Sequence, residues 1–410
     1  MAGRDAMATE VDRAIAMQGE ALQVSRPQRL ESLDVFRGLT IAGMILVNNP
    51  GTWSAVYWPL AHADELMSEH TAGWYPGKLW VETNGWTPTD LIFPFFLFIV
   101  GASMVMSFAA RQARGDSRWE LLKHVARRSA LILLIGWFIH LQPYFNFSRM
   151  RYPGVLSRIA VVYLCASVIT LWTARRGRIV WIAALLAGYY LAMRFIPVPG
   201  CDQTAWMTQH CSLAGWIDRK LMLGHLYRPD FDPEGLLSTL PAIATALLGT
   251  LAGEFLRSAG TLSYKVRVLA IAGVTGVVAG YAWHPFFPIY KPLWTSSYVL
   301  FTAGTGCLLL ALCLWLIEMR GWRAWDRPFL WLGSNAILAY ALSTFFAKEG
   351  FVFKVADSGR MIGVQAWIYR HAFAPFAQPQ NASLAFALCY VALWTMVAWW
   401  FYRKKIFVKV

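Results

Sequence analysis

Long apolar runs alternate with short polar ones along this chain. Ten runs stand out, at roughly 34–50, 90–110, 128–141, 156–173, 179–196, 236–256, 267–286, 297–317, 328–346 and 383–402. Most are near the ~20 residues that cross a hydrocarbon core as a helix. The pattern predicts an all-α, polytopic integral membrane protein of about ten transmembrane helices. The run at 128–141 is short and ends beside His140 and Gln142, so it reads as a span that tilts or stops early. Residues 1–28 read as a flexible cytoplasmic leader, since no compact apolar core with a small-residue cleavage site precedes the first run. Residues 29–410 read as one transmembrane domain without an obvious internal repeat.

Composition agrees with this pattern. Hydrophobic residues make up 57% of the chain and charged residues 15%, against roughly half and a quarter in a soluble domain. The mean hydropathy is +0.43. A formal net charge of +14 invites a nucleic-acid reading, but the basic residues form no single patch. Roughly 23 of the 37 lysines and arginines fall in one alternate set of loops and termini, and about 13 in the other, with Arg37 inside the first run. That is the positive-inside pattern, so both termini are expected in the cytoplasm and nucleic acid is not an expected partner. Cys201 and Cys211 share an outside loop and are expected to pair in an oxidising compartment. No CxxC or HExxH pattern points to zinc.

Ionisable and amide groups at membrane depth are costly and default to functional candidates. Asp34 and Arg37, three apart, can form an ion pair at the cytoplasmic interface or grip a cytosolic phosphate compound. Asn48 closes the first run before Asn49-Pro50-Gly51, where it serves as a helix cap or as an oxyanion donor. Thr-Pro-Thr-Asp90 is a helix-start signal. Arg151, Arg158, Lys291 and Asn335 stand at span mouths or within a span, where they would supply charge and hydrogen bonds to a cavity. Of the eight histidines, His62 and His70 share the loop after Asn48, amid Trp53, Tyr57, Trp58, Trp74, Tyr75 and Trp86.

Eight motifs then occur in order: SLDVFRG, VNNPG, AHAD, GWTPTDLIFPFFLFIVGAS, RYPGVLSRIAVVY, FDPEGLLSTLPAIATALLG, KPLWTSSYVL and LGSNAILAY. From about residue 29 to the last run, the chain resembles the heparan-α-glucosaminide N-acetyltransferase family, in particular its bacterial members. The resemblance implies a multi-pass enzyme of the bacterial inner membrane. Such an enzyme uses cytosolic acetyl-CoA as co-substrate and acetylates the amine of a glucosamine-type sugar on the far side. By the His-Ala pair, the catalytic residue is His62, with Asn48 as its asparagine partner. Asp34, Arg37, Arg151, Arg158, Lys291 and Asn335 are expected to bind acetyl-CoA, and Asp90 and Trp86 the acceptor. A homodimer is left open as the assembly. In one departure from the family pattern, residues 63–84 separate His62 from the Gly-x-Thr segment and bring in His70 and Glu82. Residues 1–28 also do not match the large lumenal domain of the animal members. Histidine as base, histidine as acetyl carrier, an O-acyltransferase and a sugar carrier all remain compatible with the residues.

Overall fold

The computed structural model describes residues 30–67 and 76–408. The leader and His70 therefore lie outside the described residues. Each of the ten apolar runs is helical. They form α1 (Glu31–Asn48), α4 (Ile92–Gln112), α5 (Arg118–Leu141), α6 (Val155–Trp172), α7 (Arg175–Phe195), α9 (Thr239–Arg257), α10 (Leu262–Trp283), α11 (Ser296–Cys313), the pair α12 (Arg327–Ser334) and α13 (Ala336–Val352), and α15 (Pro379–Arg403). Short helices fill the loops: α2 (Ala63–Leu66), α3 (Lys78–Asn84), α8 (Leu213–Met222) and α14 (Val364–Ala372). One small antiparallel hairpin, β1 (Lys354–Asp357) with β2 (Arg360–Gly363), precedes α14.

Among the described residues, eight helices are long and apolar enough to cross a membrane, and nine when the bent pair counts as one span. The first helix carries Glu31, Asp34 and Arg37 within its 18 residues, and unlike the longer α5 and α7 it has no further turns that would leave a less charged stretch of that length. The third span is not short. It continues back to Arg118 for 24 residues, because a basic, exposed stretch extends the helix beyond its apolar part. Its start is fixed by a capping box in which the Ser117 hydroxyl and the Glu120 carboxylate satisfy each other's backbone N–H.

Close helix contact holds the centre. With little hydrophobic drive between helices in lipid, small residues let backbones approach. A Cβ at Gly101 would sit 1.9 Å from the Ala246 carbonyl oxygen, and one at Gly249 2.0 Å from that of Phe98, so α4 and α9 meet with no side chain between them. The core follows this seam and includes Phe96, Leu97, Ile243, Leu247, Trp294 and Tyr298.

The ninth run is broken rather than continuous. Its two helices meet at 85°. The Asn335 amide at the joint donates to the Ile406 carbonyl at 3.0 Å and accepts from the Val408 N–H at 2.9 Å. Both ends of that amide are thus engaged by the segment that follows α15. Asn335, expected at the acetyl-CoA site, clasps the joint.

A second apolar cluster covers one end of the bundle. Tyr189, Met193, Leu213, Phe231, Phe287 and Leu293 are buried there, with Cys201 packed against them. Cys201 and Cys211 form the expected disulfide, with Cα atoms 5.6 Å apart.

Candidate active site

The loop after α1 is pinned before it reaches His62. The Gly51 and Thr52 N–H groups donate to the carbonyl and hydroxyl of Ser383 on α15. The chain then runs through a 3-10 turn at Trp58–Leu60 to His62, which is extended and caps α2. Two threonines ahead of α4 hold this stretch in place. The Thr87 hydroxyl donates to the Ala61 carbonyl at 2.7 Å, and that of Thr89 to the Pro59 carbonyl at 2.9 Å. The helix-start signal therefore does two jobs: it opens α4, and it draws the histidine loop against the first turn of that segment.

Asp90 is the outcome of that arrangement. Its side chain is 1% exposed. One carboxylate oxygen accepts from the Thr87 N–H at 3.0 Å and the Ala63 N–H at 3.2 Å, with the Thr87 hydroxyl oxygen also 3.2 Å away. The other lies 2.8 Å from His62 Nδ1 and 3.4 Å from Lys291 Nζ. The Tyr298 hydroxyl donates to the Asp90 carbonyl. A buried carboxylate is costly unless paired and hydrogen-bonded; Asp90 is both.

This network orients the ring. A carboxylate only accepts, so Nδ1 must carry the hydrogen in the His62–Asp90 bond. Nε2 is then the nitrogen with the lone pair. His62 remains 22% exposed, so a reactant can reach it. The Lys291 ammonium lies 2.8 Å from Nδ1 and 3.3 Å from Nε2. An ammonium has no acceptor, so its partner in charge is Asp90. The site holds a histidine oriented by an acid, with a cation beside both. Such a group can take a proton and stabilise developing negative charge.

The other expected residues are dispersed. Asn48 is exposed at the end of α1, while buried Asn49 donates to the Ile45 carbonyl at 2.7 Å and supplies the helix-end contact. Trp86 packs on Phe301 with ring centroids 4.7 Å apart, and its indole donates to the Tyr281 hydroxyl. Arg37 pairs with Asp34 at 2.8 Å and donates to the Gly333 carbonyl and the Ser103 hydroxyl, which joins α1, α4 and α12. Arg151 grips Asp232 with two bonds and pairs with Glu234. Burial disfavours its charge, but the two carboxylates win and raise its pKa. Arg158 is fully buried, donates to the Gly235 carbonyl and the Ser238 hydroxyl, and lies over the Trp294 ring.

Two roles were not read from the sequence. Asp90 was expected at the acceptor and Lys291 at acetyl-CoA, yet both adjoin His62. The Thr-Pro-Thr-Asp signal was the available pointer to Asp90. Nothing local points Lys291 to a histidine 229 positions away.

The family described as heparan-alpha-glucosaminide N-acetyltransferase, catalytic, has a sequence model that matches residues 29–290. The chain belongs to that family. The heparan-alpha-glucosaminide N-acetyltransferase of Homo sapiens is 30% identical to it, over 94% of this chain and 60% of the human protein. That of Mus musculus is 29% identical, over 94% of this chain and 61% of the mouse protein. This chain thus spans about three fifths of the length of these relatives. The catalytic-family match contains Asn48, His62 and Asp90 and stops one residue before Lys291.

Proposed function

We propose that this chain is a multi-pass acetyltransferase of the inner membrane that moves an acetyl group from cytosolic acetyl-CoA to the amine of a glucosamine-type sugar on the far side. The observation that carries the reading is His62, hydrogen-bonded through Nδ1 to buried Asp90 and still open to solvent. The human and mouse relatives, heparan-alpha-glucosaminide N-acetyltransferases by name, supply the class of donor group and acceptor. The Cys201–Cys211 disulfide supports an oxidising compartment at that end of the bundle.

Acetyl-CoA supplies an acetyl group already activated as a thioester. An amine attacks it only with its lone pair free. His62 Nε2 takes the amine's proton as the N–C bond forms; the tetrahedral species then collapses with loss of the C–S bond, and the proton on Nε2 passes to the departing CoA thiolate. Asp90 holds the ring in the tautomer that leaves Nε2 unprotonated, and balances the charge that the ring gains; the approaching amine takes the place of the Lys291 ammonium at Nε2. Lys291, beside the ring, is the donor for the oxygen that becomes negative in the tetrahedral state, and Asn48, exposed where α1 gives way to the histidine loop, is the second donor if substrate binding brings it to that oxygen.

Purified protein in lipid, given labelled acetyl-CoA and glucosamine, tests this directly. Label is expected on the sugar nitrogen. Transfer only to sugar hydroxyls, or none to any amino sugar, overturns the reading.

A further inference from the structure

A chain of polar side chains runs beside His62, and the acetyl-transfer chemistry leaves it unused. Asp64, two residues after His62 on α2, has Oδ2 3.8 Å from Arg228 Nη2. Arg228 Nη1 donates to Gln209 Oε1 at 3.0 Å, and Gln209 Nε2 donates to the Tyr290 hydroxyl at 3.2 Å. Tyr290 precedes Lys291, whose ammonium lies against the His62 ring. The run of contacts thus starts and ends at the histidine. Burial pushes the Tyr290 phenol up to about 12, against its Gln209 bond, with Asp64 and Asp90 adding to the rise. Tyr290 therefore lies near both carboxylates. The frame is held from outside: Gln209 lies within the loop closed by the Cys201–Cys211 disulfide. Arg228 and Phe231 bond each other's backbones, and Arg219 donates to the Asp230 carbonyl between them at 3.0 Å.

Asp64 is the least satisfied member of this chain. Its side chain is 20% exposed, and its carboxylate accepts no hydrogen bond among the described residues. A carboxylate so far withdrawn from water is costly without a donor. Arg228, 45% exposed and 3.8 Å away, gives it only a loose pair of the kind that water screens. Asp90, by contrast, is fully engaged. An acceptor left short of donors, two residues from the base, suits a group that brings N–H donors and a positive charge together. A sugar amine is such a group. Near neutrality a primary amine is largely an ammonium, with three N–H donors and no lone pair.

We propose that Asp64 receives the acceptor's amino group as its ammonium, in exchange for Arg228, and so positions it at His62. This rests on the transferase reading and names the residue that selects a cationic acceptor. The ammonium gives one proton to solvent across the partly exposed Asp64, which frees the lone pair. The second proton goes to Nε2 as the N–C bond forms. The test measures KM and kcat for glucosamine at saturating acetyl-CoA, in lipid, with each variant's folding checked by thermal unfolding. Asp64→Asn is expected to raise KM at least about tenfold with a smaller fall in kcat, as loss of one charge-assisted hydrogen bond requires. Asp64→Glu is expected to recover part of that loss. Arg228→Gln is expected to lower KM about two- to fivefold, since it removes a weak competitor for the carboxylate, and to have no such effect in the Asp64→Asn background. A pair that merely straps the loops together would move KM the same way from either end. KM raised in both single variants, or unchanged in both, overturns the inference. Should Asp64→Asn fail to fold, the direction of KM in Arg228→Gln decides. Wild-type transfer to the glucosamine nitrogen, scored in the same preparation, separates the two readings. With it present, only the role of Asp64 is at stake; with it absent, the transferase reading fails and this one with it.

Discussion

Asp90 and Asp218 are both carboxylates sealed from solvent, yet they are treated in opposite ways. Asp90 has two backbone N–H donors on one oxygen, and His62 and Lys291 at the other. Asp218, on α8, accepts one bond, from the Leu236 N–H at 2.9 Å, and its second oxygen is buried with no partner. Burial pushes the Asp218 carboxyl up to about 7, with nearby Asp232 adding to the rise and the Leu236 N–H and Arg158 opposing it. The difference is in what each carboxylate is given to hold. Asp90 is compensated and linked to a solvent-reachable histidine; Asp218 is tolerated inside a structural layer.

The sharpest way to break this contrast is at the paired site. His62→Ala is expected to lower acetyl transfer by about 10²- to 10⁴-fold, the usual range for loss of a general base. Asp90→Asn is expected to fall in the same range, because an amide no longer compels the hydrogen onto Nδ1. Rates on protein of verified thermal stability check both. Wild-type rates in His62→Ala would remove His62 from the chemistry and leave Asp90 with only its capping role. Intact mass after acetyl-CoA alone is expected to show no adduct on wild type; an acetyl adduct lost in His62→Ala would make the histidine a carrier instead.

A smaller effect is expected from the oxyanion donors. Asn48→Ala and Lys291→Met should each cost on the order of 10²- to 10³-fold in rate at saturating substrate. Lys291→Met also leaves Asp90 without its cation and should lower the unfolding temperature. The double variant Asp90→Asn/Lys291→Met should regain stability but not rate. If it regains rate, the pair is scaffolding.

The smallest effect belongs to Asp218. Its folded pKa lies above the ordinary carboxylate value, so the folded state binds the extra proton. Its contribution is fully present below about pH 4 and is lost as pH rises to about 7, at up to about 1.4 kcal/mol per pH unit. Asp218→Asn should flatten that slope in thermal unfolding while leaving acetyl transfer near wild type. A steeper slope in the variant would mean that the carboxylate is charged and useful after all.

Much of this molecule is legible along the chain, for reasons that also mark the limit. Apolar runs report helices because lipid leaves the backbone no other partner. They under-report α5, whose first turns are held by a capping box and exposed basic residues that hydropathy does not weigh. They miss the break at Asn335 because its cause lies 71 to 73 residues away, at Ile406 and Val408. His62 stands out through its motif. Asp90 reads as a helix cap because that is its local role; its tie to His62 spans 28 positions and depends on the loop folding back. Arg151 and Arg158 looked like ligands because lone charges at a span mouth are expensive. Asp232 and Glu234 pay that cost for Arg151, which only the folded chain reveals.

The bend at Asn335 divides the ninth apolar run into two arms of unequal reach. The eight residues of α12 cover about 12 Å and the 17 of α13 about 25 Å, against a hydrocarbon core of about 30 Å. The 17 residues of α13 stand at the short end of the range for a span, and at 85° α12 cannot add its length to them. When α13 stands across the bilayer, α12 lies nearly in its plane, as a shelf at one boundary.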